Sequence, residues 1–422
     1  IYISGLWPLR PLPKRRTAVS APALNVIDQV MQIHPLITDS TQLAQLCERL
    51  ARAPWIAIDT EFMRENTYWP DLCLIQIADE HEAAAIDPKA PGMDLSPLLD
   101  LMVNNEDVLK VFHAGGQDLE IIYNLSGKTP HPLFDTQIAA MALGLGDQVG
   151  YGNLVDAWMG VSLDKGARFT DWARRPLDKR QIDYAIADVT YLIQIFPRML
   201  ERLRKTGRGD WLDEEMERIA DPANYANAPE EAWSRVRISS KKPEVLGRLK
   251  ALAAWREIEA REKNLPRGRI MKDETLADVA SHPPRSQDDL GKVRGLSAAW
   301  KANDIGARLM QALADAQPLP RGEMPDRHPR KPGLGKDGAL IADLLKLLLK
   351  IRAKEIDVAA RLIARSDDLE MLAAGVRSDL SILQGWRYEQ FGRDALDLVE
   401  GRLVFAVVDG RLTMKRTEKA ET

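Results

Sequence analysis

Four apolar runs, each too short to build a helix, crowd into the stretch 55–113: they occupy 55–59, 72–78, 83–87 and 109–113. Short apolar runs bounded by carboxylates, glycines and polar turns read as buried strands. Helical spacing surrounds them. Leu43, Leu46 and Leu50 line one side of a segment that Asp39 or Ser40 can cap. The fourth strand runs through Gly115-Gly116 into an apolar-periodic helix reaching Tyr123, and 134–203 is mostly helical. Strands followed by helices confine this part of the chain to an α/β domain around a central sheet.

After about residue 221 the strand signals stop. Helices are expected over 244–263, 273–280 and 297–314. Residues 317–338 carry Pro318, Pro320, Pro325, Pro329 and Pro332, the composition of a linker. Helical patterns resume over 339–354, 356–363, 367–373 and 394–398. The two helical blocks look alike. Arg269-Ile270-Met271 ahead of Leu276-Ala277-Asp278-Val279-Ala280 parallels Arg361-Leu362-Ile363 ahead of Leu369-Glu370-Met371-Leu372-Ala373. A duplicated small helical module is the expectation. The expected layout is an extension at 1–30, an α/β domain at 31–220, a linker at 221–240, one helical module at 241–318, a Pro-rich linker at 319–337 and a second module at 338–415.

Residues 1–30 contain Arg10, Lys14, Arg15 and Arg16, several prolines and no acid before Asp28, without the apolar core of a signal peptide. The pattern suits a transit-type segment or a translated upstream stretch, and the segment is expected to be poorly ordered. Hydrophobic residues at 45% and charged residues at 28% fit a soluble globular chain, and no apolar run is long enough for a bilayer. Cys47 and Cys73 are too few for a disulfide framework or a zinc site, so a reducing cytoplasm is expected. The net charge of −4 hides a split: +3 over 1–30, −12 over 31–220 and +5 over 221–422. An acidic front and a basic back suit a carboxylate-rich site joined to a module that meets polyanions; solvated surface charge gives the same split.

Three clusters carry potential chemistry. Asp59 and Glu61 stand two apart at a strand end, so both side chains face one way. Asp118 follows a Gly-rich turn into a helix, where the helix dipole alone also favours an acid. Tyr184 and Asp188 are four apart on a helix and share a face. Singly, each has an ordinary explanation in surface charge, capping or amphipathic packing. Together, four carboxylates can hold two divalent ions about 4 Å apart, an arrangement suited to in-line displacement at phosphorus.

Asp59-Thr60-Glu61-Phe62, His113-Ala114-Gly115-Gly116-Gln117-Asp118 and Tyr184-x-x-x-Asp188 resemble the three motifs of the DEDD exonuclease superfamily in its tyrosine branch. The segments 65–70, 74–77, 134–139 and 171–177 are similar to those of the bacterial ribonuclease D family, and the helical blocks look like its paired HRDC domains. The resemblance spans about 31–411. It implies a ribonuclease H-like α/β domain with a mixed sheet, followed by two small all-α HRDC domains. It also implies a 3′–5′ exoribonuclease that trims tRNA precursors and other small structured RNAs, releasing nucleoside 5′-monophosphates. Asp59, Glu61, Asp118 and Asp188 would hold two Mg²⁺ or Mn²⁺ ions, with Asp59 bridging both. Tyr184 would orient the attacking water and Phe62 would pack on the terminal nucleotide. His113 and Gln117 would touch the substrate, or else pack a strand end and bond a turn. Asp135 would fix local structure by capping or pairing. The stretch 165–170 departs from the family pattern.

The helical modules show no metal or nucleophile constellation, so their expected work is holding RNA by phosphate contacts and shape. Basic residues concentrate in the first, and the turn Pro266-Arg267-Gly268-Arg269 offers Arg267 and Arg269 as contacts. The second module would hold RNA too, or pack on the enzyme. The same metal site serves a proofreading-type 3′–5′ DNA exonuclease, which is the alternative reading. A helicase is disfavoured because no G-x-x-x-x-G-K-[ST] loop is present. The expected protein is a cytoplasmic monomer with RNA as partner, without membrane or nucleotide cofactor.

Overall fold

The computed structural model describes residues 31–164, 166–324, 335 and 337–417. The expected extension at 1–30 and most of the Pro-rich linker lie outside the described residues. The chain forms two compact units. The first takes in 31–61, 73–170 and 174–221; the second takes in 62–72, 171–173 and the chain from 222 onward.

The sheet comprises β1 (Gln32–Ile33), β2 (Trp55–Met63), β3 (Asp71–Ala78), β4 (Glu82–Ile86), β5 (Leu109–Phe112) and β6 (Leu133–Asp135), in the order β1-β4-β3-β2-β5-β6. β3 and β4 are antiparallel, while β1–β4, β2–β5 and β5–β6 are parallel, so the sheet is mixed as expected. The helices of this half are α1 (Ser40–Leu50), α2 (Ser96–Val103), α3 (Gly116–Ser126), α4 (Thr136–Ala142), α5 (Tyr151–Met159), α6 (Lys179–Thr206) and α7 (Asp213–Ala220). Asp39 caps α1 by accepting the Thr41 and Gln42 amides at 3.0 Å, and Leu43, Leu46 and Leu50 are buried beneath it. Phe196 of α6 meets Trp55 and Phe134 edge-on, with centroids 5.5 and 5.1 Å away, and so seats α6 on the core. β1 and β6 were not legible in the sequence. Two and three residues show no periodicity, and each strand exists by pairing with a distant neighbour.

In the second unit α8 (Pro243–Glu262), α9 (Arg267–Ile270), α10 (Asp273–Ser281) and α11 (Asp304–Asp315) surround a core containing Leu249, Leu252, Leu276, Val279, Trp300 and Leu309. Residues 221–240, expected as a linker, are structured. They form 3-10 turns at Pro222–Asn224 and Pro229–Arg235, and Ala232 and Val236 enter this core because their apolar partners lie on α8, out of reach of any local pattern. The segment 62–72 belongs here as well. The Tyr68 and Trp69 amides donate to Asn264 Oδ1 at 3.1 Å, and the Tyr68 hydroxyl donates to Glu257.

The last stretch contains α12 (Gly338–Glu355), α13 (Ala360–Ile363), α14 (Ser366–Ala373), α15 (Gly385–Arg387), a π-helical turn at Tyr388–Gly392 and α16 (Arg393–Val399). The order repeats α8 to α10: a long helix, a one-turn helix, then a third. Buried arginines satisfy carbonyls at or just past both one-turn helices, but from different elements, α8 in the first block and α15 in the second. Arg256 donates to the Met271 oxygen at 2.9 Å, and Arg387 to the Leu362 oxygen at 3.1 Å.

This block is not all-α. β7 (Leu403–Val408) and β8 (Arg411–Arg416) form an antiparallel hairpin with Val408 opposite Arg411. Asp409 and Gly410 turn it with φ of 51° and 71°. An Asp-Gly pair between β-branched and apolar residues is the sequence signal for such a turn. Arg416 holds the hairpin to α16 through Asp394 at 2.7 Å.

Candidate active site

β2 lies between β3 and β5, and its second half carries Asp59 and Glu61. The neighbouring strand β5 leads into a tight turn. Ala114 has φ of 58°, and a Cβ on Gly115 would lie 2.7 Å from the Phe112 Cβ, so only glycine fits. Asp135 fixes this turn by accepting the Ala114 and Gly115 amides at 3.1 and 2.9 Å. It also caps α4 through the Gln137 amide at 2.7 Å. The turn starts α3 and places Asp118, buried, where the Thr60 hydroxyl donates to it.

The last component comes from α6. Asp178 caps it in a reciprocal box with Gln181, at 2.8 and 3.0 Å. Just ahead of it, Arg175 grips Asp87 with two hydrogen bonds of 2.7 Å and the Cys73 carbonyl at 2.6 Å. One turn apart on α6, Tyr184 hydrogen-bonds to Asp188. One carboxylate oxygen each from Asp59, Glu61 and Asp188 comes within 4.8 Å of the others.

Crowding and burial dominate the electrostatics. Burial first, then the charges of Asp118, Asp188 and Glu61, push Asp59 well above the carboxylate range. Glu61 rises to about 8 from burial and from Asp188 and Asp118, opposed by Arg168. Asp118 and Asp188 rise to about 7, chiefly through burial, with the Thr60 and Tyr184 hydrogen bonds pulling the other way. Burial and then Asp188 raise Tyr184 too, so at neutral pH it is a phenol. Among the described residues none of the four carboxylates is in an ion pair. Crowded hard oxygen donors that repel one another and form no ion pair suit a hard divalent cation.

Phe62 continues β2 and is partly exposed; Gln117 is exposed in the first turn of α3. Both ring nitrogens of His113 are engaged, one by Thr136 and one by the Val149 carbonyl, each at 3.0 Å. That leaves its ring face alone for a substrate. Arg267 is held by buried Glu257, with Nη2 at 2.7 Å, and stacks on Tyr68 at 5.1 Å, so its charge is already matched within the helical unit. Arg269 is exposed.

Two neighbours of the cluster escaped sequence reasoning. Tyr151 donates to the Ala187 carbonyl at 2.9 Å, its ring lies 5.4 Å from that of His113, and the charges of Asp188 and Asp59 reach it. Nothing in its local pattern marks it. Arg168 is an exposed cation whose charge acts on Glu61, Asp188 and Tyr184.

Two carboxylates on a central strand, a third after a Gly turn and a fourth one helical turn beyond a tyrosine define a DEDD-type 3′–5′ exonuclease. Residues 35–204 match the family model for a 3′–5′ exonuclease and residues 245–313 that for an HRDC domain. The chain is 81% identical over 388 residues to ribonuclease D of Sphingobium indicum, covering 92% of this chain and all of that one. It is 65% identical over 389 residues to ribonuclease D of Zymomonas mobilis, at 92% and 100% coverage. The crystal structure of Escherichia coli RNase D, described as an exoribonuclease involved in structured RNA processing, superposes with a TM-score of 0.72 at 30% identity, covering 88% of this chain and 99% of that one. The chain therefore belongs to the ribonuclease D family and is a 3′–5′ exoribonuclease. No helix among the described residues is long and apolar enough to cross a membrane.

Proposed function

We propose that this enzyme trims the 3′ ends of tRNA precursors and other small structured RNAs in the cytoplasm, as a monomer, releasing nucleoside 5′-monophosphates. The observation that carries the reading is the convergence of Asp59, Glu61 and Asp188 within 4.8 Å, with Tyr184 bonded to Asp188. Asp59, Glu61, Asp118 and Asp188 would hold two divalent ions; when bound, such ions would acidify water and offset charge on the phosphoryl group and leaving oxygen. The chain's own groups do the rest. The hydroxyl of Tyr184 orients the water whose oxygen attacks phosphorus as the P–O3′ bond breaks and the 3′-oxygen leaves with a proton. Phe62 packs on the terminal nucleotide, and Gln117 and the face of His113 border the strand.

In this reading the exonuclease domain spans 31–220, the first HRDC domain 241–318 and a second HRDC-like domain 338–415. The repeated helix order supports the duplication. The helical domains hold structured RNA, with exposed Arg269 among the phosphate contacts. Cys47 and Cys73 are buried and form no disulfide, in keeping with a reducing compartment.

Incubating a 3′-extended tRNA with Mg²⁺ or Mn²⁺, with and without chelator, tests the reading. The expected result is stepwise 3′ shortening with release of 5′-monophosphates, abolished by chelator. Shortening of matched DNA but not RNA would replace the reading with the DNA exonuclease.

A further inference from the structure

We infer that the segment 166–170 is a seat for the 3′-terminal nucleotide of the RNA, with Arg168 taking a phosphate oxygen and Phe169 stacking on the base. The inference deepens the exoribonuclease reading and rests on it.

The loop is built, and its anchors are all at the start of α6. The Asp164 carboxylate accepts the Gly166 amide at 2.9 Å and pairs with Arg180 at 2.9 Å. Ala167 is buried, and its carbonyl accepts both the amide and the hydroxyl of Thr170, at 3.1 and 2.7 Å. Gln181 Nε2 donates to the Thr170 hydroxyl at 3.0 Å. Asp164 and Thr170 are thus pinned to the helix that presents Tyr184 and Asp188 within its next two turns.

The tip of this loop is not used by the fold. Phe169 is 89% exposed, more than any other large apolar side chain described. An aromatic ring left in water forgoes a burial worth far more than most surface residues give up. The Arg168 guanidinium lies over this ring, 5.2 Å from its centroid, and is in no ion pair among the described residues. Its charge nevertheless reaches Glu61, Asp188 and Tyr184. A guanidinium beside the carboxylate cluster, yet bonded to none of its members, is free to offer two parallel N–H donors to a phosphate. An exposed ring beside it suits a base, because every base has a π-face. Stacking of that kind accepts whichever nucleotide comes next, as progressive trimming requires. The same loop departs from the family's expected stretch, which is why its role was not legible from resemblance.

The test uses the full chain with a 5′-labelled single-stranded RNA and the same RNA carrying an abasic 3′-terminal residue. Phe169→Ala is expected to raise KM roughly tenfold with kcat changed less than about threefold, and Phe169→Trp to restore KM. Arg168→Ala is expected to lower kcat/KM by roughly 100-fold, with only part regained by Arg168→Lys, whose ammonium cannot form the double bond. On the abasic substrate, wild type and Phe169→Ala should be equal. Wild-type KM for Phe169→Ala on intact RNA, or an equal tenfold loss on both RNAs, would overturn the seat while leaving the exoribonuclease reading untouched. If wild type itself leaves RNA intact, that reading fails on its own. Fluorescence anisotropy of both RNAs with wild type and Phe169→Ala then still decides whether the ring holds a terminal base.

Discussion

The Asp135 carboxylate accepts the Gly115 amide at 2.9 Å while capping α4 through the Gln137 amide at 2.7 Å. One side chain thereby ties the turn after β5 to the turn after β6, two strands that pair in parallel with Phe112 opposite Asp135. Asp118 sits on the first turn of the helix that this junction starts. Its position follows from backbone amides held by a residue that never enters the carboxylate trio.

Asp135→Ala removes a helix cap and leaves two turn amides without their acceptor. The expected loss is about 2 kcal/mol of stability, read from urea unfolding. Turnover should fall more than RNA affinity, since Asp118 shifts while the binding surface stays. Unchanged stability would show that water replaces the carboxylate and that the turn stands unaided.

Arg175 and Asp87 form a second anchor, on the approach to α6. Asp87 is held below the usual carboxylate range: burial opposes ionisation, but the Arg175 hydrogen bonds, the Lys89 amide and the charges of Arg175 and Lys89 together outweigh it. Arg175→Lys keeps the charge and loses the two-pronged geometry and the Cys73 carbonyl contact. A loss of roughly 1–3 kcal/mol is expected, measured as a lower urea midpoint at unchanged m-value. An unchanged midpoint would mean that the ammonium satisfies Asp87 equally well.

The placement of the carboxylates was legible because the information is local. Asp59 and Glu61 share a strand face by alternation, and Tyr184 and Asp188 share a helix face by the i, i+4 rule. Asp118 was marked by the Gly turn before it. Elements held by distant partners were not legible. β6 is three residues whose pattern is indistinguishable from the helix that follows, and Ala232 and Val236 reveal their burial only once α8 is beside them. Arg267 read as a free cation because Glu257, the carboxylate that neutralises it, is ten residues earlier on another helix. The hairpin at 403–416 is different: Asp409-Gly410 announced it, and a helical expectation for the whole block overrode the signal.

The carboxylate cluster gives stability a pH dependence of definite sign in the metal-free protein. Glu61 at about 8 and Asp118 and Asp188 at about 7 stand above the unfolded values of about 4. The folded state holds these protons more tightly, so their contribution is complete below about pH 4 and is lost as pH rises through about 7 to 8. Asp59→Asn removes one repelling charge. In chelator it should melt several degrees above wild type at pH 8, with a smaller gap at pH 5.5. Mg²⁺ or Mn²⁺ should stabilise wild type most at pH 8, while the variant is expected to have no exonuclease activity. Parallel melting curves for the two proteins across this range would contradict the crowding argument. Wild-type turnover by Asp59→Asn would contradict the site.

Tyr184 is the residue that separates this site from a merely acidic surface. Its hydroxyl hydrogen-bonds to Asp188 and remains protonated at neutral pH. It therefore acts by holding a hydrogen bond, not by taking a proton as a phenolate. Tyr184→Phe keeps the ring and its packing and loses only the oxygen. Two effects should follow together. Turnover should fall by roughly 10²-fold, the low end of what positioned acid–base groups contribute, with RNA affinity nearly unchanged. Asp188 loses a hydrogen bond that favours its ionised form, so the acid limb of the rate profile should move to higher pH. Single-turnover rates measured from pH 5.5 to 9 at saturating metal read both. A fall in rate without a displaced limb would place the hydroxyl on the water alone. An unchanged rate would make Tyr184 a packing residue of α6 and remove it from the chemistry.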